Sequence, residues 1–502
     1  MNFLVRAVDR DRLFWGVYLG VLLIKVAIAV ALPMTGDEAY FVLYARNVDW
    51  GGFYDHPPMV GWLIWLMERI GSHPLVIRLP AIALGFVLAL GTYGLLRGLD
   101  ERRARLVSLL LLLSPIYLVT VLISSDTGLI LFGFLAGLAY YRGTSGGRYR
   151  FFLLAGVLLG LSFMSKYFAA LLGVAFLAHF LLFARGQWRG FALLILGVLP
   201  FIVWNIAWNY LHCWDHLMFN LFNRHGGGGF SLETVVVYLL MVAYLLALPL
   251  WYLLRNGRDV VEAMRARRME SFLVMAAVPL LVWLLLSPRV SIGLHWMLLF
   301  VPFLYKAYHF LPRAALERSV RFMGWYGAAH VLLVAVILSL PASLFEDTEL
   351  HFDVVFHGHP EAMVEALERY EADVHATNSY SRAAVLAYYG DNDWAVYGGG
   401  GRHARLDDSL TDWRALDGGR MVFVHSRARI RPGEDDLAEH FESVRVERLS
   451  VRGIEFEIAI AEGFDYTSYR KDVLARVRER FYDFPDWLPV GGCTFTERYF
   501  DP

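Results

Sequence analysis

Through the first two thirds of the chain, long apolar runs alternate with short polar segments rich in arginine. A helix rises about 1.5 Å per residue, so about 20 apolar residues cross the hydrocarbon core of a bilayer. The runs predict spans near residues 13–32, 75–97, 106–123, 127–141, 151–164, 167–184, 191–208, 232–254, 271–287, 293–311 and 320–341. The fourth and fifth are short and need their flanks to cross. After Pro341 the pattern changes. Glu361–Glu371 has helical periodicity, Met421–His425 and Ile454–Ile460 read as strands, and Gly398–Gly401 and Asp417–Gly419 as turns. The reading is an all-α polytopic membrane domain over 1–341, with a first outer loop at 33–74. A soluble α/β domain over 342–502 follows.

Charge orients the spans. With a cytosolic N-terminus, 20 of the 28 Lys and Arg of residues 1–341 fall on the cytosolic side, from Arg6, Arg10 and Arg12 through Arg313, Arg318 and Arg321. Basic residues stay cytosolic during insertion, so eleven spans place residues 342–502 outside. The formal net charge of -1 is a sum over unlike parts: 28 basic against 16 acidic residues gives +12 before residue 342, and 18 against 31 gives -13 after it. A hydrophobic content of 57% with 19% charged residues excludes a disordered chain, a small disulfide scaffold and an ordinary soluble enzyme. Ala29-Val30-Ala31 imitates a signal cleavage site. Cleavage there would leave the next loop without its anchor, so the first helix is expected to stay. Cys213 and Cys493 read as two free thiols rather than a disulfide, too few for a metal or redox motif.

With this topology, the ionisable groups near membrane depth gather at the outer face, where burying them needs a reason. They are Thr35-Gly36-Asp37-Glu38, then Tyr40 and Tyr44 in a segment suited to an interfacial helix, and Tyr54-Asp55-His56-Pro57-Pro58. Ser124-Ser125-Asp126, Ser165-Lys166-Tyr167, Asn223-Arg224-His225 and Arg289 with His295 complete the set. A carboxylate can deprotonate a hydroxyl nucleophile, while Arg and Lys can hold a phosphate as it leaves. A phosphate carried on a lipid would sit at this depth. There is no Walker A sequence, and the Gly226–Gly229 run follows no strand.

Gly36-Asp37-Glu38-Ala39-Tyr40, followed by Asp55-His56-Pro57-Pro58-Met59, resembles the first outer loop of bacterial GT-C glycosyltransferases, the family-39 and family-83 type. That type includes protein O-mannosyltransferases and the aminoarabinose transferase of lipid A. Ser125-Asp126, Leu161–Tyr167 and Trp204-Asn205 are similar too, and Thr377–Tyr389 more loosely. The resemblance covers about residues 13–310. It implies inverting transfer of a hexosyl or pentosyl group from a polyprenyl-phosphate (undecaprenyl-phosphate) donor to a lipid, glycan or protein, at the outer face of a bacterial inner membrane. It implies Asp37 as general base, with Glu38 as its orienting partner or a divalent-cation ligand. Asp126 would be the second acid, near acceptor or metal, and Lys166 a donor-phosphate contact. Arg224, His225 and Arg289 are assigned to the phosphate from position and charge. Tyr40, Asp55, His56, Tyr167 and His295 are assigned to substrate. A divalent cation at Asp37, Glu38 and Asp126 stays open.

Blander roles compete. Asp37 and Glu38 favour a helix start, Asp126 can cap a helix, Lys166 can snorkel, and His56 and His295 can be structural. Lys25, inside the first span, is expected to face the bundle without a catalytic role. The rival function is a transporter or flippase of lipid-linked sugars. It would place polar groups at the midplane between internal repeats, and the sequence shows no repeat.

Overall fold

The computed structural model describes residues 2–501 except 8, 224–228, 347, 349, 391 and 426–436. The chain forms two compact units: residues 1–31, 66–204 and 227–339, and residues 32–65, 205–226 and 340–502.

The first unit is helical. Among the described residues, five helices of the chain are long and apolar enough to cross a membrane: Asp11–Ala31, Pro74–Leu96, Arg185–Leu211, Leu232–Arg255 and Arg313–Ser339. Shorter apolar helices cover Tyr149–Phe163, Ala169–Phe183 and Glu270–Leu286, and Ser125–Gly146 forms a further helix. Two expected spans are broken. The run at 106–123 is a helix over Glu101–Leu112 and a short turn over Pro115–Val119, because Ser114 precedes a proline and adopts an extended backbone. The run at 293–311 is three short pieces, Leu294–Met297, Val301–Leu304 and Tyr305–Phe310, with Pro302 in the first turn of the second. Trp296–Leu299, Phe303 and Tyr308 are buried there, and irregular backbone is tolerated at membrane depth when protein surrounds it. Small residues bring helix backbones together. A Cβ on Gly156 would lie 2.1 Å from the Leu194 carbonyl oxygen, and one on Gly197 2.6 Å from that of Leu153. The Tyr149–Phe163 and Trp188–Leu211 helices therefore cross at van der Waals distance. Lys25 is buried, and its Nζ donates to the carbonyls of Tyr117 at 2.9 Å and Thr120 at 2.6 Å.

The second unit carries a five-stranded sheet of order β2-β1-β3-β5-β4, with β1 Val374–Thr377, β2 Trp394–Val396, β3 Met421–Val424, β4 Phe441–Val451 and β5 Ile454–Phe464. The first three strands are parallel, and β5 runs antiparallel to β3 and β4. The helix Tyr380–Gly390 links β1 to β2. Val451 pairs with Ile454 across a two-residue loop, Arg452-Gly453, both with positive φ (52° and 85°). Such a turn matches the strand twist. Every residue of β3 is buried, as a central strand requires. Residues of 32–65 and 205–226 belong to the same unit: Tyr54 and Phe219 share a core with Phe423, Tyr469 and Phe481. Residues 33–74 are more ordered than a loop, holding the helices Gly36–Arg46 and Met59–Glu68. The free-thiol expectation is corrected: Cys213 and Cys493 form a disulfide across 280 residues of sequence.

Candidate active site

Thr35-Gly36-Asp37-Glu38 opens the helix Gly36–Arg46 through a capping box. The Thr35 hydroxyl accepts from the Glu38 amide, and Glu38 Oε2 accepts from the Thr35 amide at 3.2 Å. Glu38 is buried and faces its own helix start, while Asp37, one residue earlier, is exposed. The Tyr380 hydroxyl donates to Asp37 Oδ1 at 3.0 Å. Burial and the Asp37 charge raise the Tyr380 pKa, keeping it a neutral donor. Gly36 permits this approach, because a Cβ there would lie 2.6 Å from that of Ser381.

Asp55 lies beside this helix, only 2% exposed. Tyr44 donates to its Oδ1, which also lies 3.1 Å from His56 Nδ1, while His403 Nδ1 reaches Oδ2 at 2.8 Å. Burial works to raise the Asp55 carboxyl, but the His56 and His403 imidazoles outweigh it and hold the group well below the carboxylate range. Tyr40 stands 3.2 Å from the Tyr44 hydroxyl and edge-on to Tyr380, whose ring also packs near His403. Burial, and then the Asp55 charge, push both Tyr40 and Tyr44 up. Tyr380 thus links the exposed Asp37 to the ring of groups about Asp55.

Behind His56 sits His216, fully buried, its pKa pushed down to about 3 by burial. Its Nδ1 faces the amide nitrogens of Asn205 at 3.1 Å and Asn209 at 3.2 Å, and its Nε2 lies 3.1 Å from the His56 carbonyl oxygen. Asn209 is oriented by accepting from the His216 backbone amide. The neutral imidazole therefore accepts at Nδ1 and donates from Nε2, fixing the turn before Pro57-Pro58.

In the other unit, Lys166 and Asp126 form one pair. Lys166 Nζ lies 3.0 and 3.1 Å from the two Asp126 oxygens, with side-chain exposures of 9% and 15%. Asp126 occupies the first turn of the helix Ser125–Gly146, whose Ser124 cap accepts from the Asp126 amide at 3.3 Å. The ammonium also lies 5.4 Å from the Phe168 ring, which packs on Trp296, and Trp296 touches His295. Tyr167 stacks on Phe163. Arg289 and His295 are exposed, and Arg289 follows Pro288, whose carbonyl accepts from the Ser231 amide at 2.8 Å. Arg224 and His225 lie outside the described residues. Among the described residues no group of three or more His, Cys, Asp or Glu side chains is placed to hold a metal ion. Glu38 is engaged in its helix cap. The described residues thus show no divalent-cation site, and no step below runs through one.

Sequence reading separated Asp126 and Lys166 into two roles, and it missed Tyr44 as a partner, Tyr380, His403 and His216. Two signals were available: Tyr44 is one helical turn after Tyr40, and Tyr380 lies in Thr377–Tyr389. Nothing in the sequence near His403 points to Asp55.

Residues 55–208 match the sequence model of the family described as dolichyl-phosphate-mannose-protein mannosyltransferase. That stretch includes Asp55, His56, Asp126, Lys166 and Tyr167. The chain has the fold of ArnT from Cupriavidus metallidurans. It is similar to the crystal structure bound to undecaprenyl phosphate with a TM-score of 0.62 and 14% identity, over 89% of this chain and 97% of that one. Against the apo structure the TM-score is 0.59 at 16% identity, over 91% and 98%. Among curated proteins, no sequence matches. The resemblance to GT-C glycosyltransferases read from residues 36–59 is borne out, and the chain is a multi-pass membrane protein.

Proposed function

We propose that the protein is an inverting glycosyltransferase that moves a hexosyl or pentosyl group from a polyprenyl-phosphate donor to a hydroxyl or amine of a lipid, glycan or protein. The observation that carries this reading is Asp37. It is an exposed carboxylate at a capped helix start, held by the Tyr380 hydroxyl, in a chain with the fold of a protein crystallised with undecaprenyl phosphate. In the step, Asp37 takes the proton of the acceptor. The acceptor atom bonds to the anomeric carbon as the carbon–oxygen bond to phosphate breaks, and polyprenyl phosphate leaves with the electron pair. Lys166, with Arg224, His225 and Arg289, receives the negative charge on that phosphate, and Asp126 holds Lys166 extended until the donor arrives. Tyr40, Asp55 and His56 in one unit, and Tyr167 and His295 in the other, are assigned to substrate. Asp55 acts by fixing Tyr44, His56 and His403, and Glu38 by fixing the helix that presents Asp37.

The reading places the reaction at the outer face of a bacterial inner membrane, with eleven spans over 1–341 and residues 342–502 outside. The Cys213–Cys493 bond supports this, because disulfides persist in oxidising compartments. Purified protein supplied with an undecaprenyl-phosphate-linked sugar and envelope glycolipid should release undecaprenyl phosphate one-for-one with glycosylated acceptor. Exchange of donor across vesicles without bond cleavage would refute it in favour of a transporter. A reporter enzyme fused after Pro341 should be active only outside the cytosol.

A further inference from the structure

The second unit holds a cavity of about 350 Å³ that none of the assigned site residues lines. It lies along the segment before Asp55, bounded by Gly52–Tyr54, and one wall is the disulfide-linked stretch of Cys213, Thr494 and Phe495. Its walls combine two chemistries. Tyr54, Trp208, Tyr482 and Phe495 present aromatic surface, with Tyr482 stacked on Phe495 at 4.4 Å. Between the rings stand Asp49, His212, Asp215, Arg405 and Asp408.

The charges are mostly matched already. Arg405, 3% exposed, lies 2.7 Å from Asp408, which also accepts from the Tyr482 hydroxyl at 2.8 Å. Asp49 accepts from the Trp208 indole at 2.8 Å and lies 3.6 Å from His212. Three buried atoms have no hydrogen-bond partner among the described residues: Asp215 Oδ1, Arg405 Nε and Arg405 Nη1, the last held only by its ion pair with Asp408. Burial, and then the Asp408 and Asp49 charges, raise the Asp215 carboxyl above the usual carboxylate range. A paired ion couple, the Asp215 carboxyl and aromatic walls suit an uncharged, hydroxyl-rich ring. Its C–H faces meet the aromatics, and its hydroxyls meet the polar groups between them. At about 350 Å³ the cavity has room for one hexose ring with ordered water beside it. No metal-ligand cluster competes for the space among the described residues.

We propose that this cavity binds a single glycosyl residue, as a carbohydrate subsite distinct from the groups around Asp37 and Asp55. The proposal rests on the second unit alone, and binding is read without turnover, so its failure and that of the transfer reading are distinguishable.

The test is saturation-transfer NMR on full-length protein in nanodiscs, with methyl glycosides of mannose, glucose, galactose and arabinose as probes. At least one should bind with millimolar affinity. Asp215→Leu should weaken it by about 10-fold, the cost of leaving a sugar hydroxyl unpaired. The same substitution removes a carboxyl whose Oδ1 is buried without a partner, so the melting temperature should hold or rise, an outcome a merely structural role would reverse. Should Asp215→Leu fail to fold, Ser409→Trp, at an exposed lining position, should block binding instead. Absence of saturation transfer from all four glycosides would overturn the proposal. So would binding that survives both variants yet disappears in Asp37→Asn, which would put the sugar at the reaction site.

Discussion

Replacing Asp37 by Asn separates chemistry from folding more cleanly than any other change in this chain. The side chain is exposed, and its one described hydrogen bond comes from Tyr380 at 3.0 Å. An amide oxygen can still accept that bond, so the local geometry survives. The fold loses only the favourable term between an acid and the helix N-terminus, about 0.3–1 kcal/mol. A general base contributes about 10²–10⁴ in rate, or about 3–5.5 kcal/mol of barrier at 1.36 kcal/mol per decade. Asp37→Asn should therefore lower kcat by two to four decades while the melting temperature and donor binding stay near wild type. Tyr380→Phe leaves the base in place but unheld, and should cost about 10-fold, the weight of one hydrogen bond to a charged group. The assay is release of polyprenyl phosphate from a synthetic sugar donor by protein that elutes as one folded species. Asp37→Asn turnover within about fivefold of wild type, far short of a lost base, would refute the role assigned to this carboxylate.

Asp126→Asn strands Lys166 in a site where both side chains are largely buried, and should cost about 3 kcal/mol of stability. Adding Lys166→Met should recover most of it, as a double-mutant cycle of thermal unfolding would show. Two buried groups of the second unit should tilt stability with pH in opposite directions. Asp407 is pushed up to about 7, by burial first and then by Asp408, so the folded state keeps a proton that the unfolded chain sheds above about pH 4. Stability from this group is full below that pH and falls as pH rises toward 7, and Asp407→Asn should remove the slope. His216, pushed down to about 3, refuses a proton that the unfolded chain takes below about 6.5, so its contribution is lost as pH falls from 6.5 toward 3. Unfolding midpoints measured from pH 3 to 8 in wild type, Asp407→Asn and His216→Gln check the two signs. Cys213→Ser should lower stability by as much as about 5 kcal/mol, since the bond closes a loop of 280 residues. Reductant should do the same to wild type and nothing further to the variant.

Local pattern carried much of this protein's description. Apolar runs of about 20 residues are helices because every backbone polar group must be satisfied within its own segment when lipid surrounds it, so run and helix coincide in the five long apolar helices among the described residues, Asp11–Ala31 and Arg313–Ser339 included. The capping box at Thr35–Glu38 and the turn at Arg452-Gly453 are equally local, set by side chains three residues apart or by a glycine that tolerates positive φ. What tertiary structure decided is partnership. Pro115 and Pro302 each open a new short helix within runs that hydropathy alone reads as continuous, because hydropathy does not count missing donors, and side chains satisfy nearby carbonyls: Lys25 those of Tyr117 and Thr120, and Tyr117 that of Leu298. Asp55 meets His403 across 348 residues, Asp37 meets Tyr380 across 343, and Cys213 meets Cys493 across 280. Asp126 and Lys166, each chosen for its charge, prove to be one ion pair. Sequence pattern records which groups a segment must bury or expose. Which distant group meets them depends on how helices and strands pack, and that packing is shared among side chains from every part of a unit.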